Sequence, residues 1–140
     1  MGKINLGRVV LGGLLAGLVI NLGEFLLNEQ ILKAQWQAAM AALNRPPISS
    51  SAITWFVVVG FLMGIAMVWV YAAMRPRFNP GPKTAIIAGL AVWVLNWVLG
   101  FGTTLITGLF PTNLVLCALA WGLFEAPIAS LAGAWLYKEQ

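Results

Sequence analysis

Glu125 stands two residues before Pro127 inside a long apolar stretch, and Asn21 and Asn96 occupy comparable places in two other such stretches. Proline has no N–H to donate, so the Leu123 carbonyl loses its helical partner one turn earlier. A carboxyl beside that freed carbonyl, facing two carboxamides, can hold a proton, a small cation or a polar headgroup. Isolated from water and protonated, it can also donate a hydrogen bond. Arg8 to Asn21, Lys83 to Asn96 and Lys138 to Glu125 are each 13 residues. That distance is about 20 Å of helix, which sets the three polar groups at one depth. The competing reading is a hydrogen-bonded knot that fixes helix register, at roughly 0.6 kcal/mol per interhelical bond. Glu24 stands apart from this set: about 24 Å from Arg8 along the helix, it is expected near the outer interface, where a charge reaches water.

Other chemistry is closed off by composition. The chain has no His, no Asp, four Glu and one Cys. One copy cannot assemble a usual zinc, haem or iron–sulfur ligand set, nor a Ser-His-Asp or Cys-His nucleophile. No metal, no cofactor and no enzymatic activity is expected. Cys117 is expected to be a small apolar filler. Trp93 and Trp97, one turn apart, are deeper than an interfacial aromatic belt requires, and serve either as lipid-facing filler or as a platform for an apolar ligand such as a lipid tail or quinone.

The elements that position these residues are four apolar stretches, about 6–27, 52–74, 84–107 and 113–137. A bilayer span needs about 20 such residues, and the chain is 61% hydrophobic. The expected fold is all-α and membrane-embedded: one domain over 1–140 with four transmembrane helices as two tandem helical hairpins. Lys3, Arg8, Arg75, Arg77, Lys83 and Lys138 fall on one side, Lys33 and Arg45 on the other. The cationic side is expected to be cytoplasmic, with both termini and the 75–83 turn there. This distribution accounts for the +4 charge without invoking nucleic acid. The three prolines of 75–83 are expected to stop the second helix before the third begins. The first stretch is too long for a secretory h-region and lacks a cleavage site close behind it.

Internal matches support tandem duplication. An offset of 75 pairs Arg8 with Lys83, Leu15 with Leu90, Ala16 with Ala91 and Asn21 with Asn96. An offset of 66 pairs Trp55 with Trp121, Trp69 with Trp135 and Tyr71 with Tyr137. Small residues four apart mark close helix approach: Gly13 and Gly17, Gly60 and Gly64, and the ladder Gly122, Ala126, Ser130 and Ala134. Gly13, Gly17, Asn21, Glu24 and Asn28 make one stripe on the first helix; Ala85, Gly89, Asn96, Gly100, Thr103 and Thr107 make another on the third. Between spans, Leu32, Trp36, Ala39, Met40 and Leu43 form the apolar face of an amphipathic helix over about 31–44, ended by Arg45-Pro46-Pro47. It is expected to lie in the outer headgroup region or to dock a partner.

Three segments carry a resemblance: Gly7-Arg8-Val9-Val10-Leu11-Gly12-Gly13 with Asn21-Leu22-Gly23-Glu24-Phe25, Arg75-Pro76-Arg77-Phe78 with Gly81-Pro82-Lys83, and Trp121-Gly122-Leu123-Phe124-Glu125-Ala126-Pro127. With these the chain resembles a family of small four-helix bacterial inner-membrane proteins to which no function is assigned. The resemblance implies a cytoplasmic-membrane setting and no activity. The leading expectation is a non-catalytic accessory or assembly subunit, packing against larger membrane proteins through its small-residue faces and the 31–44 helix. The alternative is a small oligomeric transporter or channel using Glu125, Asn21 and Asn96.

Overall fold

A helix satisfies its backbone N–H and C=O groups within its own segment, which is what a long run of apolar residues requires once water is withdrawn. Four helical rods of this kind form, Leu6–Ile31, Ser50–Phe78, Pro82–Thr107 and Thr112–Leu136, each long and apolar enough to cross a bilayer. The structure, a computed structural model, describes residues 2–139 and has no strand among them. The helices are α1 (Leu6–Phe25), α2 (Lys33–Ala42), α3 (Ser50–Phe78), α4 (Pro82–Trp93), the single turn α5 (Thr104–Thr107) and α6 (Thr112–Leu136). Two π-helical segments extend them: Leu26–Ile31 continues α1, and Val94–Phe101 continues α4.

Glycines set the helix spacing. A Cβ on Gly13 or Gly17 of α1 would press into the backbone of Ile65 or Phe61 of α3, and one on Gly64 would strike the backbone of Gly13 and Gly17. On the other side of α1, a Cβ on Gly12 would strike the Gly133 carbonyl of α6. Gly89 of α4 lies against the backbone of Ala126 and Pro127, and Gly122 of α6 gives room to the Trp97 ring. The small-residue faces read from the sequence are thus occupied by the chain's own helices. α1 packs mainly on α3 and α6, and α4 on α6. Ile20, Met67, Val68, Ala85, Ala88 and Ala129 fill the interior.

The 75–83 region departs from expectation. α3 runs through Pro76 to Phe78, and the chain turns only at Asn79 (φ 66°) and Gly81 (φ 138°). Pro76 removes one N–H in the final turns, where the rest of the helix holds the backbone in place; the positive φ at Asn79 and Gly81 is what ends it. Tyr71 near the end of α3 accepts a hydrogen bond from the Gly81 N–H at the head of α4 (3.2 Å), and Tyr137 after α6 accepts one from Asn5 N–H ahead of α1 (3.3 Å). The two rings meet edge to face at 6.0 Å, with the Arg75 guanidinium 5.9 and 5.2 Å from their centroids. Both ends of the chain and the 75–83 turn therefore share one end of the bundle.

α2 covers the opposite end. Leu32 and Ala39 are buried, and Trp36 packs on Phe101 and Phe110 at 6.2 and 5.3 Å, while Gln30, Lys33, Gln37 and Asn44 face outward. The helix has the amphipathic pattern anticipated, and its apolar face closes on this same chain.

Candidate functional site

The polar groups that the fold brings together are Glu24 and Glu125, joined by Asn28, Trp36 and Trp121. Within α6 the four-residue spacing lets the Trp121 Nε1–H donate to Glu125 Oε2 at 2.8 Å. On α1, Asn28 Nδ2 donates to Glu24 Oε2 at 2.8 Å and to the Glu24 carbonyl at 2.9 Å. Trp36 of α2 donates its indole N–H to Asn28 Oδ1 at 2.8 Å. Glu125 reaches across the α1–α6 contact to Gly23, the residue before Glu24. Hydrogen bonds thus run from Trp36 of α2 through Asn28 to Glu24, and a separate one joins Trp121 to Glu125 on the facing side of α6.

Two local features make this possible. Gly23 leaves a notch: a Cβ there would overlap the Glu125 carboxyl. Asn28 sits where α1 widens into its π segment, in which Leu32 N–H bonds to the Leu27 carbonyl five residues back at 2.8 Å. Single π turns occur often at functional positions because they re-aim side chains without breaking the helix.

Glu125 is 6% exposed, and its Oε1 has no hydrogen-bond partner; Glu24 Oε1 is likewise buried and unpartnered. Two carboxylates in contact in apolar surroundings repel unless a proton lies between them. Beside them a groove of about 320 Å³ opens on the flank of the bundle, lined by Val19 and Gly23 of α1 and Trp121, Phe124, Glu125 and Ile128 of α6. Its lining is hydrocarbon and aromatic with almost no polar surface, and Glu125 Oε1 is shielded from it.

Asn21 and Asn96 do not join Glu125. Asn21 Nδ2 donates to the Val57 carbonyl of α3 at 3.1 Å, with its amide against Gly60, so it belongs to the α1–α3 contact. Asn96 is exposed, because the π segment begins at Val94. An α-helical count puts Asn96 in line with Ala85 and Gly89. The wider turn, seen in the Gly102 N–H bond to the Trp97 carbonyl at 2.7 Å, delays the inward position by one residue and turns Trp97 in instead. Gly100 is exposed for the same reason.

Glu24 is half-buried near the end covered by α2, held by Asn28, and lies beside Gly23, against which Glu125 packs. Trp97 is buried against Gly122, and Trp93 donates to the Leu119 carbonyl at 2.9 Å. Both rings belong to the α4–α6 contact and neither lines the groove. Pro127 serves there too, its backbone against Gly89. Ala126 and Ser130 are buried in the bundle, and Cys117 is exposed. Sequence reasoning passed over Gly23, and it valued Trp36 and Trp121 for other reasons. The signals that point to the site are the i, i+4 pairs Glu24–Asn28 and Trp121–Glu125.

Trp36→Phe preserves the ring stack on Phe101 and Phe110 but removes the donor to Asn28. About 1 kcal/mol of stability should be lost in thermal unfolding, with faster tryptic cleavage after Lys33. No protein-family model, curated protein or solved structure matches this chain.

Proposed function

We propose that the chain is a non-catalytic, four-span integral membrane protein whose working centre is the Glu24–Glu125 carboxyl pair, which takes up and releases a proton beside a groove open to the bilayer. The observation that carries this reading is the buried Glu125, set against Gly23 in the α1–α6 contact beside the half-buried Glu24, each acid with an occluded Oε1 that lacks a donor. Such groups are costly within hydrocarbon and mark ion or substrate sites more often than architecture. This is the transport alternative of the sequence, relocated from Asn21 and Asn96 to Glu24, Asn28 and Trp121.

The setting is a bacterial cytoplasmic membrane with both termini inside, supported by six cations at the end that carries the termini and two at the other. The paired tyrosine contacts favour an origin in two duplicated hairpins. An accessory role toward larger membrane proteins is the second reading. It loses two of its supports, since the small-residue faces and the apolar face of α2 are occupied internally. Lipid-facing side chains such as Trp55, Phe56 and Trp135 are left to serve it.

Difference infrared spectroscopy on protein in lipid nanodiscs, stepped in pH, tests the proton site. A carboxyl band that is altered by both Glu24→Gln and Glu125→Gln is expected, because one proton is held between the two groups. Two independent bands, each removed by its own substitution with the other unchanged, would overturn the reading.

A further inference from the structure

We propose that the pocket beside Arg75 binds the phosphate of an anionic phospholipid, which takes the place that the Glu139 carboxylate now holds. The inference is independent of the Glu24–Glu125 reading and concerns the end of the bundle that carries the termini.

Arg75 stands in the last turns of α3, its side chain only 16% exposed. Aromatic groups hold it there. Tyr71 lies one turn earlier on the same helix face, and Tyr137 reaches in from just beyond α6, so that the guanidinium is 5.9 and 5.2 Å from their ring centroids. Each ring is anchored in turn, because its hydroxyl accepts a backbone N–H, from Gly81 and from Asn5. Ring faces attract the charge but give its N–H groups no oxygen to bond. Nε and Nη1 are enclosed and have no acceptor among the described residues. Glu139 Oε1, 3.7 Å from Nη1, is close enough for attraction and too far for a hydrogen bond. An enclosed guanidinium without acceptors is costly, and its fork of donors fits an oxyanion held through two oxygens.

Space and charge point to the same ligand. A pocket of about 110 Å³ opens beside the guanidinium, lined by Gly2, Arg75, Pro76, Pro80 and Glu139. That is room for a phosphate and little more, so the rest of the ligand must lie outside. Exposed Lys3, Arg77 and Lys138 are the chain neighbours of Gly2, Pro76 and Glu139. Glu139 is the acid of the lining. It stands three residues past the end of α6, outside any helix, with its side chain 30% exposed. It can therefore swing into water without disturbing the bundle, which uncovers Nη1 and lets phosphate oxygens accept the N–H groups that the carboxylate leaves unbonded.

Depth selects a lipid as the source. Trp69, six residues before Arg75, and Trp135, four before Glu139, project from the bundle flank, 49% and 79% exposed. Exposed tryptophans near a span end mark the hydrocarbon boundary, and six residues of helix carry Arg75 about 9 Å beyond it, to the level of lipid phosphates. A phosphodiester of charge −1 neutralises the guanidinium, while Lys3, Arg77 and Lys138 face the rest of an anionic surface. A zwitterionic lipid would bring a further cation to a place already crowded with them.

Nondenaturing mass spectrometry counts the lipid retained by protein released from nanodiscs of equal phosphatidylglycerol and phosphatidylcholine content. About one phosphatidylglycerol per chain should survive, in preference to phosphatidylcholine. Arg75→Gln should reduce that retention about tenfold. Arg77→Gln, which removes an exposed cation outside the lining, should reduce it by less than about twofold. Glu139→Gln should raise it about threefold, because the competing carboxylate is gone. Two halves of a purely structural ion pair would fail alike, so opposite effects identify a site, and the Glu139 arm decides the matter if Arg75→Gln fails to fold. Equal retention of the two lipids, retention unchanged or lowered in Glu139→Gln, or equal losses in Arg75→Gln and Arg77→Gln would overturn the proposal. Loss of the lipid from nanodiscs washed with inorganic phosphate would overturn it too, by assigning the pocket to free phosphate.

Discussion

Gly64→Leu is expected to prevent α1 from docking on α3, lowering stability by on the order of 3 kcal/mol and giving a chain that elutes as aggregate from detergent. The side chain would enter space held by the backbone at Gly13 and Gly17. Backbone atoms cannot move aside as a flexible side chain can, so the helices must separate or α3 must rotate. Leucine is the better helix former by nearly 1 kcal/mol, so any loss belongs to interhelical distance and not to the helix itself. Gly100→Ala is the control. Its nearest neighbour is the Leu95 carbonyl at 3.5 Å, an ordinary contact, and the position is exposed. That variant should unfold within about 0.5 kcal/mol of the wild type. Thermal unfolding followed by near-ultraviolet dichroism of the seven tryptophans reads both. A Gly64→Leu protein as stable as the control would show that the α1–α3 approach is looser than described.

The second large effect separates a site from a structural knot. Glu125→Leu should cost about 2 kcal/mol, because it strips the Trp121 N–H of its acceptor and leaves Glu24 with no group to share a proton. The Glu24→Gln/Glu125→Gln double variant retains two side chains able to hydrogen-bond to each other, to Trp121 and to Asn28. It should unfold within about 1 kcal/mol of the wild type. A carboxamide holds no exchangeable charge, so the same protein should lack the shared carboxyl band in the pH-step spectrum. Stability retained with that band lost is the outcome that identifies a proton site. The single Gln variants should each lose the shared band, which places the effect in the pair and not in either acid.

The residues of this site were all visible in the sequence, but their grouping was not. Glu125 drew notice by standing before Pro127 in a greasy stretch, and that reasoning located a true buried acid. Its partner was misassigned because depth was counted along each helix from its cationic anchor. That count treats the helices as parallel rods of uniform pitch and is blind to which neighbour a face meets. Asn21 and Glu24 are three residues apart on one stripe of α1, yet Asn21 turns to α3 and Glu24 to α6. A stripe about one-third of a helix wide can serve two neighbours when α1 is packed between them.

The order of apolar and polar residues determined that the chain is helical, that it forms four long apolar rods and that an amphipathic segment separates the first two, and the composition left few carboxyls and amides to work within those rods. Hydrogen-bond satisfaction in apolar surroundings leaves little else for such a chain to do. Tertiary structure decided which polar groups meet. The π turns at Leu26–Ile31 and Val94–Phe101 shift every later side chain around its axis, exposing Asn96 and burying Trp97. Nothing in the local pattern announces those turns, since an extra residue per turn is tolerated wherever neighbouring helices pack better for it. The missing side chain of Gly23 then lets Glu125 enter the α1–α6 contact beside Glu24.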